Sequence, residues 1–491
     1  MPDTKGEKSG SKQQASTIWV LVATILGTSM AFIDGSAVGV ALPVLQTDLG
    51  ATVADTQWVI EGYTLFLGAL ILVGGSLGDR YGRRLMFGLG IVLFALASVL
   101  CGLAPNPGML ILARLFQGVG GALLVPGSLS IINAVIAPEA RGKAIGTWSG
   151  ATSITTAIGP LLGGWLVENV SWRWVFFINV PLAVIVLFIL FTRVPENKSD
   201  GAAGKLDWLG ATLGTVGLGG MVFGLIEASN RGWGDALVIG TIVGGVAALA
   251  AFVVVEARSE APIMPLGLFR SHTFSGTNLL TFLLYGALSA VFFFVPFDLI
   301  QVQGFSPTEA GAAMLPFIIL LSTLSRWSGG LINRFGAKLP LIIGPAVTGV
   351  GFALFALPGA HADYWTGFFP AITVAGLGMA ITVAPLTTAV MGAVDKDRSG
   401  VASGVNNAVS RVGGLVAIAV FGIVMLAVFN SSLDGKLPAV NLPAEVRQQV
   451  DTQRSKLAAI EVPPGISVSQ QENLRDAIDT SFVDGFRLIA L

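Results

Sequence analysis

Three ionisable residues lie inside long apolar stretches of this sequence, where charge is rare. Asp34 lies well within the first stretch, Glu61 near the start of the second and Arg114 in the fourth. A carboxyl group withdrawn from water can hold a proton near neutral pH and exchange it for another cation. Ionisable groups within membrane-spanning helices are functional by default. The structural alternatives are a packing carboxylate for Asp34, a membrane-surface position for Glu61 and a purely structural buried pair for Arg114.

Other chemistry is poorly represented. Cys101 is the single cysteine, and the two histidines, His272 and His361, are far apart in sequence, so we predict no metal site. The Gly-rich ATP-binding motif does not occur, and no nucleophile–base constellation stands out. With a net charge of −1, nothing indicates a nucleic-acid partner. We therefore predict no enzyme activity, no cofactor and no use of ATP.

The composition indicates the environment of these residues. Apolar residues make up 53% of the 491 residues and charged residues 12%, against about 25% charged in ordinary soluble proteins. A soluble fold of this length lacks the polar surface to accommodate such a composition, and disordered chains are poor in apolar residues. The composition therefore predicts a polytopic membrane protein in contact with the lipid bilayer.

Thirteen stretches are long and apolar enough to cross a bilayer, since a spanning helix needs about 20 residues. They lie near 18–43, 57–78, 85–103, 109–135, 144–167, 172–192, 207–228, 236–255, 276–302, 308–331, 338–357, 364–391 and 400–428. Residues 481–491 look like the start of a fourteenth helix that is short or truncated. The fold class predicted is an all-α polytopic membrane protein.

The distribution of Lys and Arg predicts the orientation. They are concentrated in loops that lie on the N-terminal side, whereas the short loops of the other side contain Arg173 and Arg231. Cytoplasmic loops carry the excess of Lys and Arg in membrane proteins. We expect a multi-pass protein of the bacterial cytoplasmic membrane with a cytoplasmic N-terminus.

A repeated motif divides the chain into halves. Residues 75–84 close the second predicted helix, and residues 329–338 close the tenth with the same pattern. Two parallel six-helix halves produce such a repeat and would place its copies six helices apart. Here the copies are eight helices apart, so we expect an additional helix pair between the halves. The predicted units are a cytoplasmic tail (1–17), a six-helix bundle (18–192), a cytoplasmic linker (193–206), an inserted helix pair (207–255), a second bundle (256–428), a long outer loop (429–480) and the start of the last helix (481–491).

Five motifs in register carry a family resemblance. They cover residues 34–43 in helix 1, 75–84 after helix 2, 114–118 in helix 4, 159–164 in helix 5 and 172–181 at the start of helix 6. In this order, and over essentially the whole chain, the sequence resembles the major facilitator superfamily, and within it the fourteen-helix drug:proton antiporters that include multidrug and quaternary-ammonium exporters. The resemblance implies the major facilitator fold, two six-helix bundles plus an inserted helix pair.

The resemblance also implies roles for the motif residues. Proton coupling would involve Asp34, Glu61 and Arg114. The loop after helix 2 would be a gating latch formed by Asp79, Arg80, Gly82, Arg83 and Arg84. The antiporter motif would seal the substrate pocket against leak through Gly159, Pro160, Gly163 and Gly164. Simple helix packing is the alternative for these glycines and for the earlier pair Gly146 and Gly150.

Candidates for substrate contact combine acidic, aromatic and amide side chains, because an aromatic face attracts a flat or cationic drug. They are Asp34, Glu61, Trp58, Tyr63, Trp148, Phe294, Asn406 and Asn407. For the aromatic residues the alternative is a core or lipid-facing position. Arg411 is a further arginine inside a predicted helix of the second half.

The leading hypothesis is a monomeric, proton-coupled efflux antiporter that exports hydrophobic drugs by alternating access, with cationic ones favoured by Glu61. A first alternative is a dedicated exporter of one natural product or antibiotic. A second is a non-transporting membrane scaffold or receptor that uses the outer loop 429–480. An uptake symporter is disfavoured by the motif at Gly159 and Pro160.

Overall fold

The computed structural model describes residues 4–196, 207–260, 262–394 and 399–491, and it is built from helices. This confirms the predicted all-α class. The linker predicted at 193–206 lies outside the described residues from 197 onward, as do residues 1–3 of the predicted tail.

The first half of the chain contains seven helices. They are α1 (Thr4–Leu49), α2 (Val53–Tyr81), α3 (Arg83–Gly102), α4 (Pro107–Val135), α5 (Pro138–Asn169), α6 (Trp174–Phe177) and α7 (Asn179–Arg193). The short helix α6 and α7 together form one apolar span. Within this half α4 packs against both α2 and α3, and α1 packs against α5 and α7.

The inserted pair and the second half follow. The pair consists of α8 (Trp208–Arg231) and α9 (Ala236–Arg258), which pack on each other, while α8 also contacts α2. The second half comprises α10 (His272–Phe297), α11 (Pro307–Ala313), α12 (Leu315–Phe335), α13 (Lys338–Leu354), α14 (Phe369–Gly392), α15 (Ser399–Val440), α16 (Ala444–Thr452) and α17 (Val468–Ala490).

Local sequence signals determine where several helices begin. Thr52 and Asp55 form a capping box at the start of α2, and Ser306 and Glu309 form one at the start of α11. The Asn106 side chain accepts a hydrogen bond from the backbone of Met109 at the start of α4. Each of these side chains satisfies a backbone N–H that the helix itself leaves free.

Ten of the described helices are long and apolar enough to cross a membrane, or eleven if the bent helix α2 is counted as one span. The described chain is therefore multi-pass. The count of fourteen spans stays a prediction.

Residues 429–480 differ from the predicted outer loop. α15 continues to Val440, and α17 begins at Val468 rather than near 481. The reason is amphipathic packing, since Phe429, Leu433 and Leu437 follow a helical period and are all buried. At the other end of the chain, α1 begins at Thr4 and extends through much of the predicted tail.

The loops between α1 and α2, α5 and α6, and α10 and α11 mark one end of the bundle, which we call the outer end after the predicted orientation. Here the two halves contact each other. Gln301 donates hydrogen bonds to the Pro43 carbonyl at 3.2 Å and to Gln46 Oε1 at 3.0 Å. The amide of Gln57 donates to the Ile418 carbonyl of α15 at 2.7 Å.

Candidate functional site

A fully buried ion pair joins α1 to α4. Arg114 Nη1 lies 2.5 Å from Asp34 Oδ2, and both side chains are 0% exposed. Burial of such a pair removes both charges from water, which costs free energy. The attraction between the charges compensates this cost only when further hydrogen bonds satisfy the remaining polar atoms. The structure thus brings together two of the three predicted proton-coupling residues.

Neutral polar side chains complete this network. Gln117 donates to Asp34 Oδ1 at 2.8 Å and to Ser98 Oγ at 2.9 Å, and its Oε1 accepts from Arg114 at 2.6 Å. Asn179, at the start of α7, donates to Ser98 Oγ at 3.2 Å and to Asp34 Oδ1 at 3.4 Å. These three residues, Gln117, Ser98 and Asn179, were not predicted as site residues, although Gln117 and Asn179 lie inside two of the family motifs.

The remaining contacts of Arg114 link the network to α2. Arg114 Nε donates to the Val59 carbonyl at 2.8 Å, and the guanidinium lies 4.3 Å from the centre of the Tyr63 ring. A cation over an aromatic face is attracted by the ring. Arg114 is therefore held by α1, α2 and residues of its own helix at once.

Glu61 lies in a different setting from Asp34. It is 1% exposed, and its Oε2 atom has no hydrogen-bond partner among the described residues. It lines a cavity of about 280 Å³ between α2, α10 and α15, together with Tyr285, Asn407 and Arg411. No described ion pair reaches Glu61. The site therefore contains one paired and one unpaired carboxyl group.

Of the predicted substrate-contacting residues, Tyr63 and Asn407 line cavities as Glu61 does. Tyr63 and Arg114 line a cavity of about 330 Å³ in the first half, and Arg411 lines that cavity as well as the one beside Glu61. The two cavities therefore adjoin at the centre of the molecule, where the halves meet.

Four other predicted substrate residues have different surroundings. Phe294 is 1% exposed within the core, and Asn406 donates to Asn278 and Thr281 of α10. Trp58 packs 5.8 Å from the Phe223 ring of α8. Trp148 packs against the core of the first half. Phe294 is therefore a core residue rather than a substrate contact, and substrate contact by the three half-buried residues stays a prediction.

The glycines of the antiporter motif pack against two helices. A Cβ atom on Gly163 would lie 2.7 Å from Ala37 Cβ, and one on Gly159 would overlap Ser36, so α5 fits closely against α1. Gly164 lies against the Pro307 backbone of α11 in the other half. By contrast, Gly146 has no atom within 4 Å of such a Cβ position. The close approach is therefore specific to the later glycines.

The predicted latch is a cluster of charged side chains at the turn between α2 and α3. Asp79 pairs with Arg83 at 2.7 Å, and the Arg80 guanidinium lies over the Tyr81 ring. Gly82 has a φ of 117°, which favours glycine.

Glu196, which was not among the predicted latch residues, adds a contact from beyond α7. Its carboxylate accepts from the backbone N–H of Arg84 at 3.0 Å and of Leu85 at 3.1 Å, at the positive end of α3. Arg84 Nη1 in turn donates to the Val194 carbonyl at 3.0 Å. The second copy of the motif, 329–338, includes side chains outside the described part.

The site combines buried charged groups with cavities that adjoin them. Among the described residues, no group of three or more His, Cys, Asp or Glu side chains could hold a metal ion. Two helical halves around central cavities that contain buried charges define the class of secondary transporters.

The chain belongs to the major facilitator superfamily, whose family model matches residues 24–418. It is 32% identical over 471 residues to the tetracenomycin C resistance and export protein of Streptomyces glaucescens, covering 95% of this chain and 87% of that protein. It is 34% identical over 438 residues to the multidrug resistance protein Stp of Mycobacterium tuberculosis, covering 88% and 80%.

The fold is also that of a solved transporter. An inward-facing, unoccupied bacterial homologue of the human lysosomal transporter Spinster matches with a TM-score of 0.64 at 19% identity, over 97% of both chains. The predicted family and the assignment as a transporter rather than an enzyme are confirmed.

Proposed function

We propose that this protein exports hydrophobic drugs across the bacterial cytoplasmic membrane in exchange for protons. The observation that carries the proposal is the buried Asp34–Arg114 pair with an unpaired Glu61 in the adjoining cavity. A proton on either carboxyl group changes the charge of the cavity, so proton binding and substrate binding influence each other. The names of the relatives, which describe resistance and export, support the same direction of transport.

Alternating access is supported by the contacts at the outer end. The hydrogen bonds of Gln301 to Pro43 and Gln46 close this end, and α5 contacts α11 beside them. We propose that this is a state closed to the outside, and that the glycine contacts of α5 keep the outer end sealed until the halves rock apart.

The finer assignments are part of the proposal. We take the protein to be a monomer with fourteen helices and a cytoplasmic N-terminus. Because Cys101 is the single cysteine and is buried, a cysteine added at the N-terminus tests the orientation by labelling. An impermeant maleimide should label it in inverted vesicles and not in intact cells, and the reverse pattern would contradict the orientation.

Transport is tested in proteoliposomes with an imposed pH gradient. A panel of cationic, neutral and acidic hydrophobic dyes, including ethidium, is compared for the wild type, Asp34→Asn and Glu61→Gln. We expect gradient-driven movement of at least one dye by the wild type, its loss in Asp34→Asn and a weakened dependence on the gradient in Glu61→Gln. Equal movement by all three proteins would refute the mechanism, and no movement of any dye would favour the scaffold alternative.

A dedicated natural-product exporter is the second candidate, favoured by the match to the tetracenomycin C protein over 95% of this chain. Susceptibility tests in a host that lacks its own pumps separate the two. Protection against several unrelated drugs supports the broad exporter, and protection against one compound supports the dedicated one.

A further inference from the structure

A third cavity lies where the inserted helix pair covers the junction of the two halves. It has a volume of about 320 Å³ and lies between α8 and α9 on one side and α2, α10 and α15 on the other. Its walls are almost entirely apolar, with Leu218, Phe252 and Phe282 among them. This volume is at the lower limit for sites that bind drug-sized molecules, which are mostly apolar with a few polar groups.

Arg411 is the one charged residue among the described walls of this cavity. It also lines the cavity beside Arg114 and the cavity beside Glu61, so it stands where all three meet. Its stem passes Gly68 of α2, where an added Cβ would lie 3.3 Å from Arg411 Cδ. A larger residue at position 68 would crowd the arginine.

The guanidinium of Arg411 has no described partner. Its Nε is buried without a hydrogen-bond acceptor, and none of the described carboxylates forms an ion pair with it. Arg114 already pairs with Asp34. A buried charge without a partner is unfavourable, and an anion that supplies one is bound strongly for that reason.

We infer that this cavity binds small hydrophobic molecules that carry an acidic group, with the acid on Arg411 and the apolar body between the inserted pair and α2. The inference rests on the proposed function, because it names the substrate class of the exporter. A cationic molecule in the same cavity would meet Arg411 with no described carboxylate among the walls. A two-chain phospholipid is too large for this volume.

The inner end of the cavity indicates how such a molecule reaches it. Gly210 at the start of α8, and Ile263 and Met264 after α9, form part of its wall. Gly210 lies in the first turn of α8, and Ile263 and Met264 lie in the loop after α9, on the side opposite to the outer end. A hydrophobic acid that has entered the inner leaflet therefore meets the cavity beside the inserted pair, which gives these two helices a role in substrate entry.

The test is binding to the purified full chain in lipid nanodiscs, with empty nanodiscs subtracted. Three dansyl–alkyl probes of one length end in a carboxylate, a primary amide or an ammonium group. We expect the carboxylate probe to bind about tenfold more tightly than the amide probe. The reason is that a hydrogen bond between two charged groups contributes more binding free energy than one to a neutral amide, and about 1.4 kcal/mol corresponds to a factor of ten. Arg411→Gln should abolish this ratio, and Arg411→Lys should keep most of it.

A matched pair of variants tests the location. A Cβ atom added at Gly214, which lines the cavity, would make ordinary contact with Phe252 at 3.7 Å, so a leucine there reduces the cavity volume. Gly244 on α9 is exposed, and a Cβ added there has no atom within 4 Å. Gly214→Leu should weaken all three probes, and Gly244→Leu should leave them unchanged. Equal affinities, tightest binding of the ammonium probe, or no effect of Gly214→Leu would overturn the inference. Acid binding without gradient-driven transport would refute the proposed function instead.

Discussion

The replacement Asp34→Asn tests whether the buried Asp34–Arg114 pair is purely structural or couples protons to transport. It leaves the Arg114 guanidinium at 0% exposure with the neutral acceptors Gln117 Oε1 and the Val59 carbonyl. Arg114 Nη2 already lacks a partner. Breaking a buried pair by removing one charge destabilises by about 3–5 kcal/mol. Removing both charges in Asp34→Asn with Arg114→Gln should restore at least half of the lost stability, because a buried pair contributes little net.

The protein contains its own probe for this measurement. Cys101 is the single cysteine, is 0% exposed, and lies 3.7 Å from Gln117 Oε1 in the same network. A membrane-permeant maleimide reaches Cys101 only when this region opens. Since each 1.4 kcal/mol is a factor of ten, a loss of about 3 kcal/mol should accelerate labelling roughly a hundredfold in Asp34→Asn, and less in the double variant.

The control is the peripheral pair Arg231–Glu227, at 3.1 Å. Glu227→Gln should change labelling by less than about fivefold, because such pairs contribute about 0.2–1 kcal/mol. If Asp34→Asn is labelled at the wild-type rate, the network does not hold Arg114 as described. If the double variant regains stability and also transports, the pair is structural and the proposed coupling is wrong.

Three further predictions concern the contacts around the site. Gly163→Ala should lower stability by about 1–3 kcal/mol in thermal unfolding, because the added Cβ meets Ala37. The control Gly146→Ala should be neutral or stabilising, since a Cβ there meets no other atom. Equal effects of the two replacements would contradict the close packing at Gly163. Glu196→Gln should destabilise by about 1 kcal/mol in the same assay, since the amide has one acceptor oxygen for two α3 N–H groups and no charge at the positive end of the helix. An unchanged transition would contradict this role of Glu196. Gln301→Ala should lengthen the distance between spin labels on α1 and α11, and an unchanged distance would show that other contacts close the outer end.

The charged part of the site could be predicted from the sequence because charge is so scarce there. An acid and a base inside apolar helices have few partners available, so Asp34 and Arg114 are expected to pair. The neutral amide and hydroxyl partners could not be predicted in this way, because such side chains can also form hydrogen bonds within their own helix. Ser98, for example, donates a hydrogen bond to the Phe94 carbonyl of α3. Asn179 could have been found, because a neutral polar side chain at the start of an apolar span requires a partner.

Of the aromatic candidates for substrate contact, Tyr63 lines a cavity whereas Phe294 lies in the core, and helix geometry explains the position of Phe294. Successive residues on a helix point about 100° apart, so three consecutive phenylalanines cannot share one face. Phe292 packs 4.8 Å from the Phe317 ring, while Phe293 and Phe294 pack 4.9 Å from each other in the core. Composition alone identifies such a run as apolar, and only the packing of the neighbouring helices decides which ring meets a cavity.

The chain from the end of α15 to α17 adds contacts at the outer end of the bundle. The Lys456 carbonyl accepts from Gln46 of α1 at 3.1 Å, and Arg475 of α17 donates to the Gln301 carbonyl beyond α10 at 2.5 Å. Asp484 of α17 pairs with Lys436 of α15 at 2.8 Å, which fixes α17 against the extension of α15. One segment therefore contacts both halves at the end where they meet. Any separation of α1 from α10 at this end must break its bonds to one half, so this segment resists opening to the outside in addition to the direct contacts of Gln301.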